Sequence, residues 1–69
     1  MILPGSFWVA KQDNYINGTY FCKGDQIEVD SIWIGKETAK VTFDHNLRRL
    51  TLDARFFRKR FKRQERNEV

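Results

Sequence analysis

The chain has 69 residues, a formal net charge of +4, 41% hydrophobic residues and 14% aromatic residues. This length accommodates one folded domain and excludes a second hydrophobic core, and the apolar content is too high for a disordered protein. The single cysteine, Cys22, excludes an internal disulfide, and with one histidine, His45, it excludes a structural zinc site. We therefore expect a domain without metal or cofactor in a reducing, cytoplasmic compartment.

No segment is expected to direct the chain into or across a membrane. The first ten residues lack a basic region, and Pro4 and Gly5 interrupt their apolar stretch. No apolar run approaches the roughly 20 residues needed to span a bilayer. The sequence Asn17-Gly18-Thr19 fits a glycosylation pattern, but we interpret it as a tight turn.

The first part of the chain predicts a strand followed by a long loop. Residues 6–11, SFWVAK, are aromatic and β-branched, as is typical of strands. Residues 12–25 contain two turn signals, one of them at Asn17-Gly18, and we expect a partly structured loop whose large side chains fold back onto the core. Cys22, in this loop, is expected to be a small buried apolar residue.

A change of apolar parity marks the next predicted strand. In residues 26–34, QIEVDSIWI, the apolar positions alternate up to Val29 and then resume with the opposite parity at Ile32. A β-bulge or sharp bend near Asp30-Ser31 would explain the change, because such a bend redirects side chains.

Two hairpin turns are predicted in the middle of the chain. The sequence GKET at 35–38 predicts the first turn, and DHN, which contains His45, predicts the second. His45 is therefore expected to be an exposed turn residue. The alternating segments around these turns predict a small barrel or sandwich, in which Trp8 and Trp33 are expected to seal the core.

The segment 53–64 is both aromatic and basic. Asp53 is a good N-cap, and three phenylalanines share one face of a helical wheel, which indicates a core-facing side. These phenylalanines are Phe56, Phe57 and Phe61. A basic amphipathic helix fits this pattern, and so does a single helical turn at 53–58 followed by a closing strand around 60–64.

The net positive charge of the chain comes from its C-terminal end. Residues 1–54 carry six Lys/Arg and seven Asp/Glu, a net charge of −1, whereas residues 55–69 carry seven Lys/Arg and two Glu, a net charge of +5. A charged face that merely keeps the protein soluble is the simpler alternative. However, like charges four residues apart destabilise a helix, so an anionic partner would compensate for them.

The layout resembles small SH3-like β-barrels. The resemblance rests on KGDQIEV at 23–29, IWIGKETAKVTFD at 32–44 and LTLDARFFRKRF at 50–61. Small phage and bacterial SH3-like proteins, and the KOW modules of transcription and translation factors, often begin their second strand with Gly-Asp-x-φ-x-Val, continue with two hairpins and close with a Phe-containing turn. The resemblance implies a mainly β fold: a five-stranded SH3-like barrel with a short C-terminal basic helix or helical turn. Residues 1–64 would form this single domain, and 65–69 a flexible tail.

The chain is also similar to small archaeal chromatin proteins of the same barrel type. In those proteins a Trp before a Gly-Lys turn lies on a three-stranded sheet that binds DNA, and a C-terminal helix follows. Trp33, Gly35 and Lys36 match this local pattern. The body of this chain departs from it, because it is net negative where those proteins are basic.

Catalysis is not expected, because the sequence has no nucleophile elbow, no triad spacing and no Gly-rich phosphate loop. We expect a non-enzymatic protein that binds RNA or DNA through phosphates. The predicted phosphate contacts are Arg55, Arg58, Lys59, Lys62, Arg63 and Arg66. Further cations could extend this footprint, with Trp33 as a candidate for base stacking. They are Lys36, Lys40, Arg48 and Arg49.

Three alternatives remain open at this point. The protein could be an interaction module, an adaptor or inhibitor of the kind that phages encode, whose basic end binds an acidic surface of a larger protein. It could bind an anionic membrane surface through a basic aromatic helix, which we favour less. It could also be a structural subunit of a larger assembly.

Overall fold

The computed structural model describes residues 1–64, which form a mainly β structure with one short helix, as predicted. In chain order the elements are β1 (Phe7–Ala10), β2 (Asn14–Ile16), β3 (Thr19–Phe21), β4 (Gln26–Ile34), β5 (Ala39–His45), β6 (Arg48–Asp53), α1 (Ala54–Arg60) and β7 (Phe61–Arg63). No helix within residues 1–64 is both long enough and apolar enough to cross a membrane. The tail predicted at 65–69 lies outside the described residues.

Five strands form one antiparallel sheet in the order β6-β5-β4-β1-β7, and β2 and β3 form a separate hairpin. Within the described part of the chain, the edge strands β6 and β7 do not pair with each other. Hydrogen bonds therefore do not close this sheet into a barrel, and the predicted barrel stays a prediction. The helix α1 joins the two edge strands directly.

A bulge in β4 allows this strand to pair with both β1 and β5. The register against β5 shifts between Val29, which lies opposite Phe43, and Ser31, which lies opposite Thr42. Asp30 is thus the extra residue, and the bulge predicted near Asp30-Ser31 is confirmed. Among the described strands, β4 pairs with β1 before the bulge, and after it β4 pairs with β5 alone.

The predicted loop at 12–25 contains the hairpin β2–β3. Its turn is at Asn17-Gly18, where both residues have positive φ, 48° and 79°, as a tight two-residue hairpin turn requires. Only half of the large side chains turn inward: Ile16 is buried, whereas its neighbour Tyr15 is 74% exposed. Strand alternation explains the difference, because successive side chains point to opposite faces.

The predicted exposure of His45 is wrong. The β5–β6 turn consists of Asn46 and Leu47, one residue later than expected, so His45 still belongs to β5. Its ring stacks on Phe21 with centroids 4.3 Å apart, and its side chain is only 13% exposed.

The predicted burial of Cys22 is also wrong, since the thiol-bearing residue is exposed. Phe21 takes the inward position at the end of β3, and Cys22 begins the following turn. In that turn the backbone N–H of Cys22 donates a hydrogen bond of 2.8 Å to Oδ2 of Asp25.

An aromatic cluster forms the centre of the core. Phe57 lies 5.0 Å from Trp8, 5.6 Å from Phe43 and 4.8 Å from Phe61, measured between ring centroids. Trp8 seals the core as predicted, but the same prediction for Trp33 is wrong, because Trp33 is 59% exposed. Its β4 position after the bulge faces outward.

The shared inward face predicted for three phenylalanines is confirmed for Phe57 and Phe61, which are 0% and 1% exposed. Phe56 differs, because it is 36% exposed and the guanidinium of Arg60 lies 4.8 Å from its ring centre. The residue at 61 is already in β7, so the helical wheel does not apply beyond Arg60.

Replacing Phe57 with alanine should remove most of the stability of the fold. We expect a loss of about 3–5 kcal/mol, because the ring is fully buried and its removal leaves a cavity. Phe56→Ala is the matched control and should cost about 1 kcal/mol, since it removes mainly a surface cation–π contact. Urea unfolding of the two variants measures the difference, and equal losses would contradict the assignment of Phe57 to the core.

Candidate nucleic-acid interface

The helix α1 is held at both ends. At its start, Asp53 accepts hydrogen bonds of 2.9 Å from the backbone N–H of Arg55 and from the hydroxyl of Thr38. At its end, the backbone N–H of Phe61 donates to the carbonyl of Phe57, and the chain continues as β7. Asp53 is thus the N-cap, as predicted. Of the two structures considered for this segment, the one that occurs is a short helix followed by a strand.

The hydrogen bond from the Thr38 hydroxyl to Asp53 also ties the β4–β5 loop to the start of the helix. Hydrogen bonds from the Thr38 hydroxyl and from the Arg55 backbone hold the pKa of Asp53 below its usual value of 3.8. The carboxylate is therefore ionised at neutral pH, which favours its capping role. The loop at 35–38 is thereby linked to the start of the helix by one side-chain hydrogen bond.

The cations of α1 point to different sides of the helix. Ala54 and Phe57 face the core, and at about 100° per residue Lys59 lies opposite them. Arg55 and Arg58 lie on the side that faces the β4–β5 loop. The sequence predicted that these cations share one outer face of the helix. In the structure Lys59 points away from the core, whereas Arg55 and Arg58 lie on the side that faces the β4–β5 loop.

Arg60 is on the other flank, and its guanidinium is engaged within the fold. It donates a hydrogen bond of 2.8 Å to Oδ1 of the buried Asn14 and stacks on Phe56. It therefore links α1 to β2. Arg60 is not among the cations that were predicted to contact phosphate.

The cations of β7 extend the basic region onto the sheet. Lys62 lies opposite Val9, and Arg63 lies opposite Trp8, and both are exposed. Since β7 pairs with β1 alone within residues 1–64, it forms an edge of the described sheet. We use the term basic surface for the exposed cations of α1 and β7. These are Arg55, Arg58, Lys59, Lys62 and Arg63.

The basic surface has no acidic partner within residues 1–64. The ion pairs in this part of the chain involve only two basic side chains, His45 and Arg49. None of the five cations of the basic surface thus forms an ion pair within the described fold, although the charge of Asp53 lies near Arg55. Arg66, the remaining predicted contact of this segment, lies outside the described residues.

Arg49 differs from the basic surface. Its guanidinium lies 3.1 Å from a carboxylate oxygen of Asp30 and 3.2 Å from one of Asp44. The hydrogen bond to Asp30, together with the charges of both carboxylates, raises the pKa of Arg49. Two carboxylates therefore offset its charge before any phosphate approaches.

The remaining predicted cations, Lys36, Lys40 and Arg48, lie in two different parts of the fold. Lys36 lines the groove beside α1, and Lys40 lies between Trp33 and Asp53 in one row across three strands. Arg48 lies elsewhere, beside the β2–β3 turn, where a methyl group added to Gly18 would come within 3.2 Å of its Nη1.

Sequence reasoning missed Lys11 and the groove. The ammonium of Lys11 donates a hydrogen bond of 3.0 Å to the carbonyl of Arg58, which adds a cation at the end of α1. The groove lies between residues 34–39 and residues 53–58. Both arise from contacts between segments that are distant in sequence, so no local pattern indicated them.

Asp53→Ala should lower stability in a pH-dependent manner. A folded-state pKa below 3.8 means that the ionised Asp53 stabilises the fold fully above that pH, and that this stabilisation is lost as the pH falls towards the folded-state value. The urea midpoint of the variant should therefore lie below that of the wild type at neutral pH, with a gap that shrinks on acidification.

Glu37→Ala is the matched control for that experiment. Glu37 is an exposed carboxylate near Asp53 that accepts no hydrogen bond within residues 1–64. Its removal should leave the midpoint nearly unchanged at each pH. A gap for Asp53→Ala that stays constant down to acid pH would contradict the role of the ionised carboxylate.

No protein family, curated protein or solved structure matches this chain. Its function must therefore be inferred from its own residues, chiefly from the basic surface and from the groove and exposed indole beside it.

Proposed function

We propose that this protein binds nucleic acid without catalysing a reaction, and that the basic surface contacts the phosphates. The observation that carries the proposal is that none of these five exposed cations forms an ion pair within residues 1–64. A nucleic-acid backbone supplies regularly spaced negative charges, and arginine can bind a phosphate with two parallel hydrogen bonds.

The electrostatic repulsion between these charges supports the proposal. Arg55 and Lys59 are four residues apart on a short helix, so they repel each other. The helix C-terminus offsets this in part, because its partial negative charge favours Arg58 and Lys59 in the last turn. A bound phosphate would relieve the remaining repulsion.

We further propose that the fold is an SH3-like barrel, as the sequence resemblance implies. The five-stranded sheet, the two hairpins that follow the Gly-Asp strand and the Phe-containing helix before the last strand support this assignment. Because α1 joins β6 directly to β7, it is the element across which the two open edges would approach each other.

The proposal predicts salt-dependent binding that depends on the basic surface. Binding of short labelled DNA and RNA, measured by fluorescence anisotropy at about 50 and 200 mM salt, should weaken steeply with salt. Five phosphate contacts correspond to a logarithmic slope of about −3.5 to −4.5. The triple variant Lys59→Gln, Lys62→Gln, Arg63→Gln should reduce the slope by about 2 to 3 and weaken binding for all sequences.

Lys23→Gln is the matched control, because Lys23 is an exposed cation outside the basic surface. It should leave binding essentially unchanged. Absence of binding at low salt, or equal binding by the triple variant and the wild type, would overturn the proposal.

The alternative function is a protein-interaction module. It is favoured by the apolar side chains Ile34, Ala39 and Ala54, which line the groove next to the cations Arg55 and Arg58. A pull-down from nuclease-treated cell extract separates the two functions. A single protein that is retained after nuclease treatment and lost with the triple variant favours the module, whereas capture that disappears with nuclease favours nucleic acid.

A further inference from the structure

The groove beside α1 has the size of a site for a small ligand group. Its volume is about 290 Å³, just below the roughly 300–1,000 Å³ that is typical of ligand pockets. Its apolar lining comes from Ile34, Ala39 and Ala54, and the cations Lys36, Arg55 and Arg58 also line it. It can therefore hold a flat, partly apolar group and an anion side by side.

Trp33 is not a lining residue of this groove, but its indole packs against Gly35, which is one. A methyl group added to Gly35 would come within 2.6 Å of Cζ3 of Trp33, so the indole edge lies directly on the bare Gly35 backbone. Gly35 is itself a lining residue of the groove. The indole is 59% exposed and has Lys40 as its cross-strand neighbour.

We propose that Trp33 and this groove bind an unpaired nucleotide, so that single-stranded nucleic acid is the ligand of the basic surface. The proposal rests on the function proposed above and specifies its substrate class. Bases stack on exposed aromatic rings in proteins that bind single strands. In a duplex the base faces are covered by their neighbours, so Trp33 would have nothing to stack on.

The carboxylates of the groove set the orientation of the nucleotide. Glu37 and Asp53 also line it, and Asp53 already accepts two hydrogen bonds. Carboxylates repel phosphate and accept hydrogen bonds from base amino groups. The phosphates therefore lie towards Lys36, Arg55 and Arg58, and the base lies towards Trp33.

Three ligands of equal length test the proposal by fluorescence anisotropy. They are a single strand, its duplex with the complementary strand, and an abasic strand that keeps the phosphates but lacks the bases. Each is used as DNA, and the single strand and duplex also as RNA. At about 200 mM salt, where electrostatic attraction is weakened, the single strand should bind about ten-fold more tightly than the abasic strand. It should also bind more tightly than the duplex.

Variants of Trp33 assign this preference to the indole. Trp33→Ala should weaken binding of the base-containing strand about ten-fold and leave the abasic strand unaffected, while Trp33→Phe should retain most of the preference. Tyr15→Ala, which removes an even more exposed aromatic from the separate β2–β3 hairpin, is the control and should have no effect. Urea unfolding verifies that all variants are folded.

The outcomes separate this proposal from the one on which it rests. Equal, salt-dependent binding of all three ligands would overturn the single-strand assignment while the phosphate-binding function stands. No binding of any ligand at low salt would overturn both. A glutamate-rich peptide that binds as tightly as the strand, with the same dependence on Trp33, would assign the groove to acidic protein segments and overturn the proposal.

Discussion

Phe57 packs against Trp8 of β1, Phe43 of β5 and Phe61 of β7, and these contacts fix the rotation of α1. An α-helix turns by about 100° per residue, so the direction of one side chain determines the directions of all the others. With Phe57 directed into the core, Lys59 must point away from it and Arg58 must lie on a flank. The outward orientation of the cations on α1 is therefore a consequence of the aromatic packing around Phe57.

The same packing explains why so short and basic a segment is helical. Isolated helices of seven residues are not stable in water, and helices in proteins are stabilised mostly by tertiary contacts. Here the carboxylate of Asp53 accepts a hydrogen bond from a backbone N–H of the first turn, and Phe57 and Phe61 are fully buried. These contributions let the fold tolerate the repulsion between neighbouring cations, which an amphipathic pattern alone would not offset.

Local chemistry made much of the fold predictable from the sequence. The positive φ angles at Asn17-Gly18, the bulge at Asp30 and the cap at Asp53 each follow from a few adjacent residues. Burial at strand ends was less predictable. A one-residue difference in the position of a turn kept His45 inside β5, and this turned its side chain towards Phe21.

The candidate site was predictable in its composition but not in its arrangement. The charge asymmetry identified the basic segment, yet the pairing of Arg49 with Asp30 and Asp44 depends on strand register. Trp33 is exposed because its position after the bulge faces outward, and its indole packs on Gly35. The spacing of apolar residues in the sequence does not indicate this contact. Strand register thus decided which charges are offset, whereas the backbone close to Trp33 decided that this aromatic is exposed.

Dimensions limit how the basic surface can act. At about 1.5 Å per helical residue and 3.3 Å per strand residue, α1 and β7 each span only about 10 Å. Phosphates of a stacked strand are about 3.4 Å apart along its axis, so the two elements together can meet only about five or six of them. So few contacts give weak, salt-sensitive affinity that does not distinguish one sequence from another. A preference for single strands must therefore come from a group that contacts bases. Trp33 is an exposed aromatic whose indole packs on Gly35, a lining residue of the groove.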